Sequence, residues 1–255
     1  MIRTIGIYIY AGLLVLGTFL KLQKTKKLQH QLSKEEIFVQ PSIVSRKVFQ
    51  RTGSTIEVEG QDKLPEGPAL FVANHQGLFD ILVLLGYLGK PVGFIAKQEI
   101  KKLPIISSWM ELVRCVFIDR KDRRQSVRAI GQGIDYLKTG HSIVIFPEGT
   151  RSRGKQMNAF KSGSFRLAIK ANVPIVPVAI DGTYRMLEET DGKVRSSSVR
   201  LTIKDAIYPG EYMSMSSNEI AAKVEEMIRL QLKTNGLKQT KEKHKKKAEQ
   251  LLSPR

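Results

Sequence analysis

Ala69-Leu-Phe-Val-Ala-Asn74-His75-Gln-Gly77-Leu-Phe-Asp80 decides how this chain is read. An apolar run ends in Asn74 and His75, and Asp80 then opens a second apolar run of helical pattern that continues to Leu88. A short β-rich run therefore passes through a polar turn directly into a helix. The pattern repeats outward from this point. Strand-like runs occupy 55–59, 69–73, 92–96, 116–119, 142–146, 175–180 and 199–203, bounded by Gly, Pro, Asn and Asp. Helical patterns lie at 80–88, 105–112, 126–137 and 165–171. Several of the strands are apolar on both faces, as they must be when helices cover both sides of a sheet. The expected fold class is α/β, with a largely parallel mixed sheet flanked by helices. Functional residues in such a fold gather in loops beyond the carboxyl ends of the strands.

Four strand ends carry charged or reactive groups. His75 and Asp80 lie five positions apart, about 140° around a regular helix, so they meet only if the segment turns between them. Gly77 permits a bend there. An aspartate in the first helical turn can then hold one imidazole nitrogen and leave the other to accept a proton from a hydroxyl. From spacing alone, a core histidine satisfied by a capping aspartate fits at least as well. His30, His141 and His244 have no such setting. No Gly-x-Ser-x-Gly elbow is present, which favours direct attack by a substrate hydroxyl over an acyl-enzyme.

The second strand end is Ile143-Val-Ile-Phe146-Pro147-Glu148-Gly149-Thr150-Arg151. Backbone N–H groups near Gly149 and the Arg151 guanidinium suit a phosphate, since Arg offers planar bidentate contacts. A structural Glu148–Arg151 ion pair supporting a bend explains the same residues. Phe94-Ile95-Ala96-Lys97 and Val116-Phe117-Ile118-Asp119-Arg120 deliver two more cations to strand ends. Each cation alone reads as a solvated charge, but Lys97, Arg120 and Arg151 together imply a shared anionic substrate beside His75. No metal-ligand cluster is evident.

The chain has 255 residues with 42% hydrophobic and 26% charged residues, enough apolar material for a sizeable core and incompatible with a disordered chain. One cysteine, Cys115, excludes an intrachain disulfide. Lys plus Arg number 42 against 24 for Asp plus Glu, a net charge of +18 that calls for an anionic partner, nucleic acid or an acidic membrane surface. Residues 4–20 carry no charge between Arg3 and Lys21 and would form a helix roughly 26 Å long. That is a short span or an embedded anchor, with snorkelling by its flanking cations. KLQKTKK follows where a signal-peptide cleavage site would need small residues. The excess of Lys after the segment places the remainder on the cytoplasmic side. The chain therefore divides into a membrane anchor and basic flank (1–30), a linking helix (31–50) opened by a Ser33–Glu36 capping box, the main domain (51–210), a C-terminal helix (211–233) capped near Ser217, and a solvated basic tail (234–255).

Together Asn74-His75 with Asp80, Phe117-Ile118-Asp119-Arg120, Phe146-Pro147-Glu148-Gly149-Thr150-Arg151 and Val173-Pro174-Ile175-Val176-Pro177 resemble, in order, the four blocks of the 1-acyl-sn-glycerol-3-phosphate acyltransferase family. The resemblance runs from about Pro65 to Thr183. It implies acyl transfer from a thioester, acyl-CoA or acyl-carrier protein as co-substrate and no other cofactor, to the sn-2 hydroxyl of lysophosphatidate. His75 would be the general base and Asp80 its orienting partner. Arg151, with Lys97 and Arg120, would hold the acceptor phosphate, and Glu148, Gly149 and Thr150 would complete that substrate loop. Two positions depart from the family pattern: Gly77 stands where many members carry serine, and Arg114 where glycine is usual. The competing readings are another lysophospholipid acceptor, a non-catalytic membrane scaffold, and a nucleic-acid-binding protein. The last would bind with steep salt dependence but shows no recognisable module and leaves residues 4–20 unexplained.

Overall fold

The computed structural model describes residues 1–119, 121–154 and 156–252, the last fifteen of these in backbone only. In chain order the elements are α1 (Ile2–Gly17), α2 (Phe19–Leu28), α3 (Lys34–Arg51), β1 (Thr55–Glu59), β2 (Leu70–Ala73), α4 (Asp80–Tyr87), β3 (Val92–Lys97), α5 (Pro104–Leu112), β4 (Val116–Ile118), α6 (Arg123–Lys138), β5 (Ser142–Ile145), α7 (Arg166–Ala171), β6 (Ile175–Asp181), β7 (Ser198–Ile203), α8 (Pro209–Tyr212) and α9 (Ser217–Leu252). The strands form one seven-stranded sheet in the order β1-β7-β6-β2-β5-β3-β4. Every neighbouring pair is parallel except β6 with β7, so the largely parallel mixed sheet expected from the sequence is present.

β2 shows why the sheet must be covered on both sides. Phe71 and Ala73 face a core shared with Phe49, Val83 and Leu84, while Leu70 and Val72 face Leu137, Leu167 and Val224. Alternate residues of one strand thus enter two separate apolar layers. β2 sits between β5 and β6, which puts its carboxyl end at the middle of the sheet.

The termini differ in detail from expectation. The apolar N-terminal segment is not one helix: it breaks at Thr18, whose buried hydroxyl donates to Val15 O and accepts from Trp109 Nε1 at 3.0 Å. Ile2–Leu28 is nonetheless the single described segment long and apolar enough to cross a membrane, with mean hydropathy 1.8. It does not stand away from the domain. Ile7 packs with Phe38 and Phe49, Arg3 donates to Thr52 O, and Thr4 Oγ1 accepts from Val194 N–H. Its outer face leaves Ile2, Ile5, Tyr8, Ile9, Leu13, Leu16, Phe19 and Leu20 exposed.

The Ser33–Glu36 capping box forms on α3, which carries Pro41 within it and ends at Arg51. At the other end Ser216, not Ser217, caps α9 through Glu219. α9 then runs on to Leu252 instead of stopping near Lys233, so the basic tail continues as helix. Lysine and glutamine are good helix formers, and the loss of an apolar stripe beyond Thr234 does not end the helix.

Candidate active site

Asn74 fixes the end of β2. Its side-chain amide donates to Ile180 O and accepts from Ile180 N–H, both at 2.8 Å, and so pins the strand end to β6. The chain then turns, and Asp80 enters the first turn of α4 fully buried. His75 Nδ1 and Asp80 Oδ2 lie 2.7 Å apart. The same oxygen accepts from Gly77 N–H at 2.9 Å, and Asp80 Oδ1 accepts from the Thr183 hydroxyl. A buried carboxylate with its oxygens so occupied is a fixed partner for the imidazole. Nδ1 is committed to Asp80, which leaves Nε2 as the nitrogen able to take a proton. The ring stacks on Phe146 at 4.0 Å between centroids and keeps 17% side-chain exposure.

The loop after β5 folds back onto this turn. Glu148 is buried, and its oxygens accept from His75 N–H at 2.5 Å and Asn158 N–H at 2.8 Å. Burial raises its pKa, against the opposing pull of those two N–H groups and of His75. Both carboxylate oxygens are spent on backbone, so Glu148 braces the loop. Ser152 N–H and hydroxyl both donate to His75 O. Gly149 adopts φ +75, and a Cβ there would stand 2.8 Å from Lys161 Nζ. Thr150 is exposed.

The Glu148–Arg151 ion pair does not form. Arg151 Nη1 instead meets Glu188 Oε1 at 2.9 Å. Lys97 lies exposed at the carboxyl end of β3, beyond Phe94, whose ring stacks against Phe146. Arg120 lies outside the described residues. Gly77 has an ordinary backbone, so the bend does not require its freedom; a Cβ would instead collide with Glu188. Arg114, by contrast, takes φ +60, a left-handed conformation that explains why glycine suits the position. Sequence inspection passed over Thr183, Phe146, Ser152 and Glu188. Of these Phe146, which opens the Phe-Pro-Glu-Gly-Thr-Arg block, and Thr183, at the end of an apolar strand that runs into Asp-Gly-Thr, left a local signal. A cavity of about 470 Å³ lined by Lys26, Lys101, Glu111, Arg114 and Tyr136 opens beside the edge strand β4, and none of His75, Asp80, Glu148, Arg151 and Glu188 lines it.

A family model described as Acyltransferase matches residues 55–181, the stretch that builds β1 through β6 and holds the His75 site. The class is therefore acyltransferase. The chloroplastic 1-acyl-sn-glycerol-3-phosphate acyltransferase LPAT1 of Arabidopsis thaliana is 36% identical over 69% of this chain and 49% of its own length. The chain thus spans about half of that relative. The probable 1-acyl-sn-glycerol-3-phosphate acyltransferase of Mycoplasma genitalium is 32% identical over 74% of this chain and 77% of its own. The crystal structure of the 1-acyl-sn-glycerophosphate acyltransferase PlsC from Thermotoga maritima superposes with a TM-score of 0.80 and 27% identity, covering 92% of this chain and 95% of that one. This chain belongs to the 1-acyl-sn-glycerol-3-phosphate acyltransferase family.

Proposed function

We propose that the chain transfers a fatty acyl group from a thioester to the sn-2 hydroxyl of 1-acyl-sn-glycerol 3-phosphate, giving phosphatidate for phospholipid synthesis. The observation that carries this reading is the His75–Asp80 pair, held at 2.7 Å at the carboxyl end of β2 in a chain of this family. An alcohol is a weak nucleophile at neutral pH, so a positioned base and a fixed acceptor are what the reaction needs. His75 Nε2 takes the hydroxyl proton as the oxygen attacks the thioester carbonyl carbon. The tetrahedral adduct collapses with cleavage of the C–S bond, and the departing sulfur recovers the proton from His75. Asp80 stays ionised and supports the imidazolium. Arg151, with Lys97 and Arg120, binds the acceptor phosphate, while Glu148 and Gly149 hold the loop that presents Arg151.

The donor is acyl-CoA or acyl-carrier protein, and the net charge of +18 suits an acidic carrier as well as anionic lipid. The apolar outer face of α1 and α2 supports membrane association, with the catalytic domain on the cytoplasmic side because the greater Lys excess follows that segment.

Purified protein in detergent, supplied with lysophosphatidate and either thioester, tests the proposal. The parent forms phosphatidate and folded His75→Ala does not, a loss of at least ~10²-fold for a general base. Parent activity on lysophosphatidylglycerol or lysophosphatidylcholine, with none on lysophosphatidate, moves the acceptor and keeps the chemistry. His75→Ala turning over at the parent rate removes the mechanism.

A further inference from the structure

Glu188 belongs to none of the four motif blocks, yet its carboxylate lies against the candidate site. It sits on the short turn Glu188–Thr190, in the connection from β6 to β7, with its side chain only 5% exposed. Oε1 accepts from Arg151 Nη1 at 2.9 Å and from Leu78 N–H at 2.8 Å. Oε2 is buried without a hydrogen-bond partner. Room for this oxygen exists because residue 77 has no side chain: a Cβ on Gly77 would overlap it. The space that serine would take in many family members is filled here by a carboxylate.

A guanidinium and a main-chain N–H ahead of a helix are donors suited to a phosphate. Glu188 satisfies both with one oxygen and leaves the other unpaired in a buried place, a costly arrangement for an anion. A phosphate group arriving with three oxygens and up to two charges is the better occupant. We propose that Glu188 is an internal stand-in for the acceptor's phosphate and determines head-group selectivity. It occupies Arg151 and the Leu78 N–H until a phosphomonoester displaces it, and it turns away phosphodiester head groups, whose single charge competes less well. This rests on the use of Arg151 for the acceptor phosphate proposed above. A site that is part-filled by its own side chain has its apparent affinity lowered by the fraction filled.

The test uses full-length protein in detergent, with glycerol 3-phosphate as the soluble head-group probe in calorimetry and lysophosphatidate in turnover. Glu188→Gln keeps the shape and removes the charge. It binds glycerol 3-phosphate roughly fivefold tighter than the parent. Its gain in turnover falls on KM more than on kcat, and its preference for lysophosphatidate over lysophosphatidylglycerol narrows. Gly77→Ala, which evicts the carboxylate by bulk, reproduces the tighter binding and serves if Glu188→Gln fails to fold. Arg151→Ala abolishes head-group binding in the parent and in Glu188→Gln alike. Weaker or unchanged binding in folded Glu188→Gln overturns the proposal and leaves Glu188 a brace for Arg151. Tighter binding in a protein that forms no phosphatidate keeps the stand-in and discards the acyl-transfer reading, so the two are separable.

Discussion

Asp80 has three neighbours, and each contact does something different. Gly77 N–H holds the turn, the Thr183 hydroxyl ties it to the end of β6, and His75 receives its orienting bond. The imidazole is consequently fixed by groups more than a hundred positions apart in the chain. Cys115 shows the opposite use of burial. Its thiol is enclosed, accepts from Phe94 N–H, and is pushed up to about 12 by desolvation. At pH 8 the folded protein is therefore inert to maleimide, and it takes up one label once unfolded. Rapid labelling of the native state, followed by mass, would show that this side of β3 opens. What could be read at this scale was local. His75, Asp80, Glu148 and Arg151 announced themselves because each lies shortly beyond a strand or begins a helix, where polar residues interrupt an apolar run. Glu188 did not, because its partners lie across the sheet's loops and no short pattern encodes that proximity. The bend at Gly77 was foreseen for the wrong reason: the residue is small to make room for a neighbour, not to free its own backbone.

Among elements, β3 and the turn into β4 fit closely. A Cβ on Gly93 would overlap Arg114 O and come within 2.8 Å of Val113 O, both main-chain atoms with little freedom to retreat. Gly93→Ala forces that turn away from the strand and costs about 1–3 kcal/mol, measured by denaturant unfolding with urea. A midpoint equal to the parent's would mean the turn has slack. Most elements were legible from period and punctuation. The seven strands and the helices between them fall within a few residues of their expected bounds, because alternation of two-sided apolar runs with Gly and Pro leaves few alternatives. The break at Thr18 was not legible, since it depends on a bond from Trp109, a residue far along the chain. The extension of α9 was hidden for another reason. Residues beyond Thr234 are too polar to reveal a face, although nothing in them stops a helix.

At the scale of the whole molecule, the N-terminal helices proposed as the anchor are also a wall of the domain. Ile7 lies in the same apolar layer as Phe38 and Phe49, and Leu22 packs with Ile37, Trp109 and Leu112. Deleting residues 1–28 uncovers these side chains, so the shortened chain aggregates in detergent-free buffer instead of yielding a soluble enzyme. A monodisperse, active peak on size exclusion would show that the wall is dispensable. Arg3 and Thr4 fasten α1 to Thr52 and Val194, at the end of α3 and in the β6–β7 connection. No linker therefore separates the helix proposed to meet the bilayer from the body that carries His75. The protein has no leash on which to swing toward distant substrate. With α1 in the bilayer plane as proposed, the site would stay at one height above that plane, and traffic to it would become a problem of lateral diffusion, with the lipid doing the travelling.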